Sequence, residues 1–319
     1  MSTNTNATPR LILGSRGSPL ALIQTHEARD RLIAAWPELG APGAIAIEVI
    51  KTTGDAVRDR PLAELGGKGL FIKEIEHALT DGRIDAAVHS MKDMETTMAI
   101  GTDLVAVLPR EDPRDAFISL IADRIDTLPV GAKIGTASVR RGAWVLNQRP
   151  DLEVVLFRGN VDTRLRKLEA GEAAATFLAI AGLNRLGLAD RATRIMALDE
   201  MLPSVSQGAI GIQTRDGKAS ARDADIRRWI AGLDHQSSRT AVTAERAMLA
   251  TLDGSCRTPI AGHARLSGDR LTLDGAVLSL DGRIRHDATE TGPTSDPEAL
   301  GRAVGEALLA RCGRGFLAS

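Results

Sequence analysis

Short apolar runs alternate with longer segments whose apolar residues lie three or four positions apart through the first two thirds of the chain. The runs predict buried β-strands, and the spaced segments predict amphipathic helices. Predicted strands lie at residues 11–13, 45–51, 84–88 and 104–108, and again at 116–121, 154–157 and 176–181. Strands alternating with helices are typical of an α/β fold.

This pattern is built twice, which predicts two similar lobes. A further strand at 207–212 follows the second series and could return to the first lobe. Two α/β lobes joined by crossover strands form a hinge and a cleft, as in periplasmic binding proteins. We expect a first lobe at 8–108 with 209–226, and a second at 114–202.

The apolar period changes after a predicted helix at 237–252 and a loop at 253–259. Alternation over 261–266, 270–279 and 283–288 predicts an antiparallel meander, with Asp281-Gly282 as a hairpin turn. Asp296 and Pro297 are typical of a helix start. These elements predict a small α+β domain at 231–319.

Composition limits the classes of function. The 319 residues include 40 Lys and Arg against 41 Asp and Glu, and only 3% are aromatic, which argues against a nucleic-acid binder. The N-terminus lacks the apolar segment of a signal peptide, and no apolar run reaches membrane-spanning length. Two distant cysteines, Cys256 and Cys312, argue against a disulfide framework or zinc cluster. We therefore expect a cytoplasmic protein without a metal site.

The predicted strand at 84–88 leads directly to Lys92 and Asp93. Ligands of open α/β sheets bind beyond the carboxyl ends of the strands, so Asp93 is placed where chemistry usually occurs. The alternative is a surface ion pair between Lys92 and Asp93 that merely closes the strand.

Basic residues follow other predicted strands. Arg16 stands in a glycine turn beside Ser18, the expected N-cap of a helix, which indicates either an anion site or a structural turn. Arg140 and Arg141 fall in the first turn of another helix, where they oppose its dipole and need an anion; a solvated basic face is the alternative. The same strand edge is expected to carry Arg158 and Arg185.

A glycine loop at 66–69 carries Lys68 and precedes a helix. It is not a Walker A sequence, because Gly69 follows the lysine where Ser or Thr is required. We interpret Lys68 as lying on a loop at the rim of the cleft; a plain flexible loop is the alternative.

One carboxylate among many guanidinium groups suits an anionic substrate that becomes cationic as it reacts. Arginine binds carboxylates with paired hydrogen bonds, while Asp93 could stabilise positive charge or pass a proton to a leaving amine. Hydrolase and metal chemistry are poorly supported, because no histidine stands in a triad context and no metal-ligand spacing occurs.

Nine segments resemble the porphobilinogen deaminase family and occur in family order between residues 10 and 260. They are GSRGSPLAL, LGGKGLF, VHSMKD, REDPRDAF, GTASVRR, RGNVDTR, AGLNRLGL, QGAIGI and GSCRTPI. The resemblance implies a transferase of tetrapyrrole (heme and chlorophyll) biosynthesis that condenses four porphobilinogen molecules into hydroxymethylbilane and releases ammonia. It further implies a dipyrromethane cofactor bound covalently, by a thioether, to Cys256.

The resemblance also implies residue roles. Asp93 matches the catalytic aspartate, Lys68 a loop lysine over the cleft, and Gln207 a crossing between lobes. The cofactor-binding positions are matched by Ser90, Lys92, Asp93, Thr136, Ser138, Arg140, Arg141 and Arg158. The substrate-binding positions are matched by Arg16, Ser18, Lys68, Arg158, Arg164, Arg185 and Gln207. Glu64, Ala174 and Met94-Glu95 depart from the family pattern.

We thus expect a monomer that takes porphobilinogen as its substrate and has no nucleic-acid or membrane partner. The alternative function is a non-catalytic, two-lobed anion-binding module. That alternative explains the arginines but gives Asp93 and Cys256 no role.

Overall fold

The computed structural model describes residues 9–56, 72–218, 220–254 and 258–317. Glu64, Lys68 and Cys256 lie outside these residues. The strands are β1 (Leu11–Arg16), β2 (Ile45–Ile50), β3 (Ala86–Ser90), β4 (Thr102–Val107), β5 (Asp115–Ser119), β6 (Lys133–Thr136), β7 (Glu153–Leu156), β8 (Ala175–Ala179), β9 (Arg194–Ile195), β10 (Ile210–Arg215), β11 (Ile260–Ser267), β12 (Arg270–Leu278) and β13 (Arg285–Pro293). The helices are α1 (Pro19–Ala35), α2 (Thr53–Ala56), α3 (Lys73–Thr80), α4 (Val139–Gln148), α5 (Val161–Glu169), α6 (Ile180–Leu186), α7 (Ala221–Ala231), α8 (Gln236–Thr251) and α9 (Pro297–Cys312).

The first lobe is built on a sheet whose described strands run in the order β2-β1-β3-β10-β4. β1 pairs in parallel with β2 and β3, whereas β10 pairs antiparallel with β3 and β4. The chain therefore returns to this sheet after the second lobe, as predicted. The returning strand begins at Ile210, three residues later than the pattern indicated, because Gln207 and Gly208 belong to a turn.

The second lobe repeats this arrangement. Its described strands run in the order β7-β6-β8-β5-β9, with β6 parallel to β7 and β8, and with β5 antiparallel to β8 and β9. In both lobes one antiparallel strand is inserted beside the third parallel strand. The predicted pair of similar α/β lobes is confirmed.

The C-terminal part contains the predicted antiparallel meander β11-β12-β13. Met248 of α8, Leu273 of β12, and Val304 and Leu308 of α9 share one buried apolar core. This arrangement confirms the small α+β part of the fold.

A second apolar core joins that meander to the second lobe. Ala276 and Leu278 of β12 pack in one cluster with Phe117, Trp144 and Phe177. By their contacts, the described residues form two compact units. The first contains the described parts of 9–56, 72–110 and 209–239, and the second those of 111–208 and 240–317.

Three helices lie where the apolar pattern predicted none: α2, α6 and α7. The first four residues of α6, from Ile180 to Leu183, are all buried, so this short helix has no polar face there to distinguish it from a strand. No helix within the described residues is both long and apolar enough to cross a membrane.

Candidate active site

The polypeptide after β3 forms one turn of 3-10 helix, Met91–Asp93. Arg16 ends β1, the parallel neighbour of β3, so the carboxyl ends of the two strands lie side by side. As a result, Arg16 Nη1 lies 3.5 Å from Asp93 Oδ2. The Asp93 side chain remains 34% exposed, which leaves its carboxylate open to a ligand.

A pocket of about 80 Å³ opens at this strand edge. Besides Ser90, its polar lining brings together six described side chains, of which only Gln24 and His89 were not predicted: Arg16, Ser18, Gln24, His89, Lys92 and Asp93. Ser90 also lines it and donates its hydroxyl to Gln24 Oε1 at 2.9 Å. Leu20, Ile72 and Val88 supply an apolar wall. This combination suits a flat ring that carries acidic substituents.

Helix α1 begins at the pocket. Ser18 is its N-cap, as predicted, with Oγ accepting from Ala21 N at 3.3 Å, and Pro19 occupies the first helical position. The free N–H groups of a helix N-terminus attract anions. Arg16, Lys92 and the start of α1 therefore make the pocket electropositive around the carboxylate of Asp93, the one acid among its described lining residues.

A second cluster of predicted site residues surrounds Asp115 in the second lobe. Arg140 Nη2 lies 2.7 Å from Asp115 Oδ2, and Arg141 Nη2 lies 2.7 Å from Oδ1. Gln207 Nε2 also donates to Oδ1 at 3.1 Å. The anion that these two arginines require at the start of α4 is thus supplied by the chain itself.

This cluster is buried. Burial alone would raise the pKa of Asp115, but the charges of Arg140 and Arg141 and the hydrogen bond from Gln207 outweigh it and hold that pKa far below its usual range. Burial lowers the pKa of Arg140, against the opposing effect of Asp115; an arginine nevertheless stays charged at neutral pH. Arg140 Nε is a buried donor without a hydrogen-bond acceptor among the described residues.

Thr136 and Ser138 stand at the N-terminus of α4. Thr136 Oγ1 accepts from Ser138 N at 3.1 Å, and Ser138 Oγ accepts from Arg141 N at 3.4 Å, so Ser138 caps the helix. Both hydroxyls are therefore held at the positive end of a helix dipole.

Three other predicted site residues, Arg158, Arg164 and Arg185, also belong to the second lobe. Arg158 follows β7 and is half-buried. Arg164 Nε donates to Gly159 O at 2.9 Å, within its own turn. Arg185 lies on α6 rather than directly at a strand end, and its Nη2 donates to Gly208 O at 3.1 Å.

Among the described residues no cluster of His, Cys, Asp and Glu could hold a metal ion. Cys312, the last residue of α9, is half-buried, and burial raises the pKa of its thiol. It is therefore protonated at neutral pH and a poor nucleophile. Cys256 and Lys68 cannot be placed in the site, because they lie outside the described residues.

Comparison with known proteins identifies the family. The model "Porphobilinogen deaminase, dipyromethane cofactor binding domain" matches residues 11–223, and "Porphobilinogen deaminase, C-terminal domain" matches residues 239–310. The chain is 53% identical to porphobilinogen deaminase from Nitrobacter winogradskyi over 305 residues, which cover 95% of this chain and 94% of that one. It is 50% identical to the chloroplastic porphobilinogen deaminase of Oryza sativa subsp. japonica over 310 residues, 96% of this chain and 85% of that one.

A solved structure, a putative methionine-binding lipoprotein from Bacillus subtilis, is similar at 15% identity and a TM-score of 0.41, covering 69% of this chain and 89% of that one. The family model for the cofactor-binding domain alone extends over more than half of the sequence, and the two relatives match nearly all of it. The chain belongs to the porphobilinogen deaminase family.

Proposed function

We propose that this transferase is a hydroxymethylbilane synthase, which joins four porphobilinogen molecules head to tail and releases ammonia at each addition. The observation that carries the proposal is the exposed carboxylate of Asp93, set in an electropositive pocket beside Arg16 and Lys92. Porphobilinogen has two carboxylate substituents and an amine that must leave. The pocket matches both features.

Arg16, Lys92 and the N-terminus of α1 bind the substrate's carboxylates, because charge-assisted hydrogen bonds to carboxylates are strong and directional. Leu20, Ile72 and Val88 contact the face of the pyrrole ring. Asp93 accepts a hydrogen bond from the pyrrole N–H and stabilises the positive charge that develops on the ring as the amine departs. Among the described residues that line the pocket Asp93 is the only acid, so in its protonated form it is also the candidate to pass a proton to that amine.

The family's dipyrromethane cofactor supplies the pyrrole carbon to which the substrate is joined. Its acidic substituents fit the donors of this chain. Ser90 and Lys92 line the pocket, while Thr136 and Ser138 stand at the positive end of α4, and Arg140 Nε is an unused buried donor. We assign cofactor binding to these residues together with Asp93, Arg141 and Arg158.

Cys256 is the proposed point of attachment. A thiol adds to an electrophilic pyrrole methylene and forms a stable thioether, and the half-buried Cys312 is a poor candidate because its thiol pKa is raised. Further substrate contacts are assigned to Ser18, Lys68, Arg164, Arg185 and Gln207. We further propose a cytosolic monomer, and sedimentation at micromolar concentration would test the monomeric state.

The proposal is tested by incubating the purified native chain with porphobilinogen. We expect loss of porphobilinogen, followed with Ehrlich's aldehyde reagent, and release of one ammonia for each molecule consumed. A non-catalytic anion-binding module would bind porphobilinogen without releasing ammonia, and that result would contradict the proposal. The alternative is not favoured, because the matched relatives are deaminases across nearly the whole chain.

A further inference from the structure

A fully buried glutamine, Gln213, lies in β10 of the first lobe and has all its polar atoms engaged. Its Nε2 donates to Glu76 Oε1 at 3.0 Å and to Thr102 Oγ1 at 2.8 Å. Its Oε1 lies 3.1 Å from His89 Nε2. The side chain thus joins α3, β4 and β3 across the sheet.

The neighbours of Gln213 fix the orientation of its amide. Thr102 donates its hydroxyl hydrogen to Ala99 O at 2.7 Å, so Thr102 Oγ1 can only accept from Gln213. Glu76 Oε1, which also accepts from Ala99 N, is likewise an acceptor. The amide nitrogen must face these two groups, and the amide oxygen must face the imidazole. His89 therefore carries a hydrogen on Nε2.

The same network holds the chain on both sides of Asp93. His89 precedes the turn Met91–Asp93 and lines the pocket. Ala99 follows that turn, and its N–H donates to Glu76 Oε1 at 3.1 Å while its carbonyl accepts from Thr102. The chain is therefore held by hydrogen bonds at His89, before Asp93, and at Ala99, after it, and both sets of hydrogen bonds lead to Gln213.

We infer that Gln213 is a positioning residue for Asp93, acting through His89 on one side and through Glu76, Thr102 and Ala99 on the other. The inference rests on the proposed function, because it assigns Gln213 to the turnover of that same site. A fully satisfied buried network favours one arrangement of the elements that it joins, since any other leaves polar groups unpaired. Gln213 holds the carboxylate where the substrate's charge develops, without touching the substrate.

The first test is Gln213→Leu, which keeps the approximate volume and removes the amide. We expect kcat for porphobilinogen to fall on the order of ten-fold or more, because small displacements of a catalytic group have large kinetic effects. We expect KM to change by no more than about two-fold, because Arg16, which is assigned to the substrate's carboxylates, lies on β1 outside the network. Glu48→Gln, which removes an exposed partner of Arg83, is the matched control and should leave both constants unchanged.

The second test exchanges the side chains of Gln213 and Glu76. Gln213→Glu places two carboxylates in contact and should lower kcat, whereas Gln213→Glu with Glu76→Gln restores one carboxylate and one amide and should recover at least part of the loss. The single and double variants also test the inference if Gln213→Leu does not fold. A double variant no more active than Gln213→Glu would overturn the inference.

A readout independent of activity is the ¹⁵N spectrum of the His89 imidazole in the native chain. We expect a ring that carries a hydrogen on Nε2, and a ring protonated on Nδ1 alone would overturn the assigned network. Unchanged kcat in folded Gln213→Leu would overturn the positioning role. In either case an active wild-type chain would leave the proposed function intact, whereas failure of the wild-type chain to consume porphobilinogen would contradict that function instead.

Discussion

Asp93 and Asp115 are both acids beside arginines near a strand terminus, but they differ in burial and in hydrogen bonding. Asp115 is fully buried and accepts short hydrogen bonds from both Arg140 and Arg141. Asp93 is 34% exposed and its contact with Arg16 is longer, at 3.5 Å. A carboxylate already satisfied on all sides stabilises the fold, whereas one that retains open positions can serve a substrate.

The role of Asp93 is tested by Asp93→Asn. The substitution keeps the size and shape of the side chain, so the chain should fold and bind its cofactor as before. Turnover of porphobilinogen should fall by at least about a hundred-fold, because the amide does not stabilise positive charge. Steady-state kinetics and thermal unfolding measure the two effects, and ordinary turnover in this variant would refute the assigned role.

The role of Asp115 is tested by Asp115→Asn. Two buried arginines would then lack their counterion, and the free energy of unfolding should fall by about 3–5 kcal/mol. Urea unfolding at neutral pH measures the loss. Asp126→Asn, which breaks an exposed pair with Arg124, is the control and should change it by less than about 1 kcal/mol.

The ion pairs of Asp115 with Arg140 and Arg141 also predict that the stability of the fold depends on pH. Because the folded-state pKa of Asp115 is lowered, its stabilisation is fully present above the unfolded value of about 3.9 and is lost as the pH falls further, toward the folded pKa. The stability difference between wild type and Asp115→Asn should therefore shrink below about pH 4. A difference that grows on acidification would contradict the pairing.

At the scale of elements, local chemistry predicted much of the structure. Ser18 with Pro19, Ser138, and Asp296 with Pro297 begin helices α1, α4 and α9, as expected from capping preferences. What the pattern missed depends on distant contacts. Asp115 gives no local sign that it will neutralise Arg140 and Arg141, which follow it by 25 and 26 residues.

The contact between β10 and the turn that carries Asp93 is a further feature that only packing reveals. Gly211 pairs with His89, and a Cβ atom at Gly211 would lie 2.1 Å from Met91 Sδ and 2.8 Å from Leu104 Cδ1. The missing side chain makes room for Met91, the first residue of the turn Met91–Asp93. The glycine therefore contributes to the placement of Asp93, the proposed catalytic residue.

Gly211→Ala should displace Met91 and with it Asp93. We expect a loss of about 1–3 kcal/mol in unfolding free energy from overpacking, together with a fall in kcat. Gly292→Ala in β13 is the matched control, because its new Cβ would lie at an ordinary 3.6 Å from Leu300. Turnover and urea unfolding like those of the wild type in Gly211→Ala would contradict the close packing.

At the scale of the whole molecule, the repeated apolar pattern was sufficient to predict two lobes, since each lobe repeats the same strand order. The return of β10 to the first sheet was predicted because the second series of strands had already ended. The core that β12 shares with the second lobe was not predicted. Ala276 and Leu278 alternate with other residues as they would in any half-buried strand. Which surface covers such a strand depends on tertiary packing and not on its period.

The candidate site, like the fold, was predicted from the sequence only in part. Motif resemblance brought Arg16, Ser18, Ser90, Lys92 and Asp93 forward, and the fold gathers them in one pocket. Gln213 was missed, since a single glutamine in an apolar strand has no motif. Its contribution became visible only from its hydrogen bonds to Glu76, Thr102 and His89.

The central claim is that porphobilinogen units are assembled on a dipyrromethane anchored to Cys256. Its most direct test is the intact mass of the native chain, before and just after brief exposure to porphobilinogen, with peptide mapping of both cysteines. We predict a mass excess confined to the Cys256 peptide and a ladder of further additions, each of one pyrrole unit. An unmodified chain that gains no mass with porphobilinogen, or a modification on Cys312, would contradict the account.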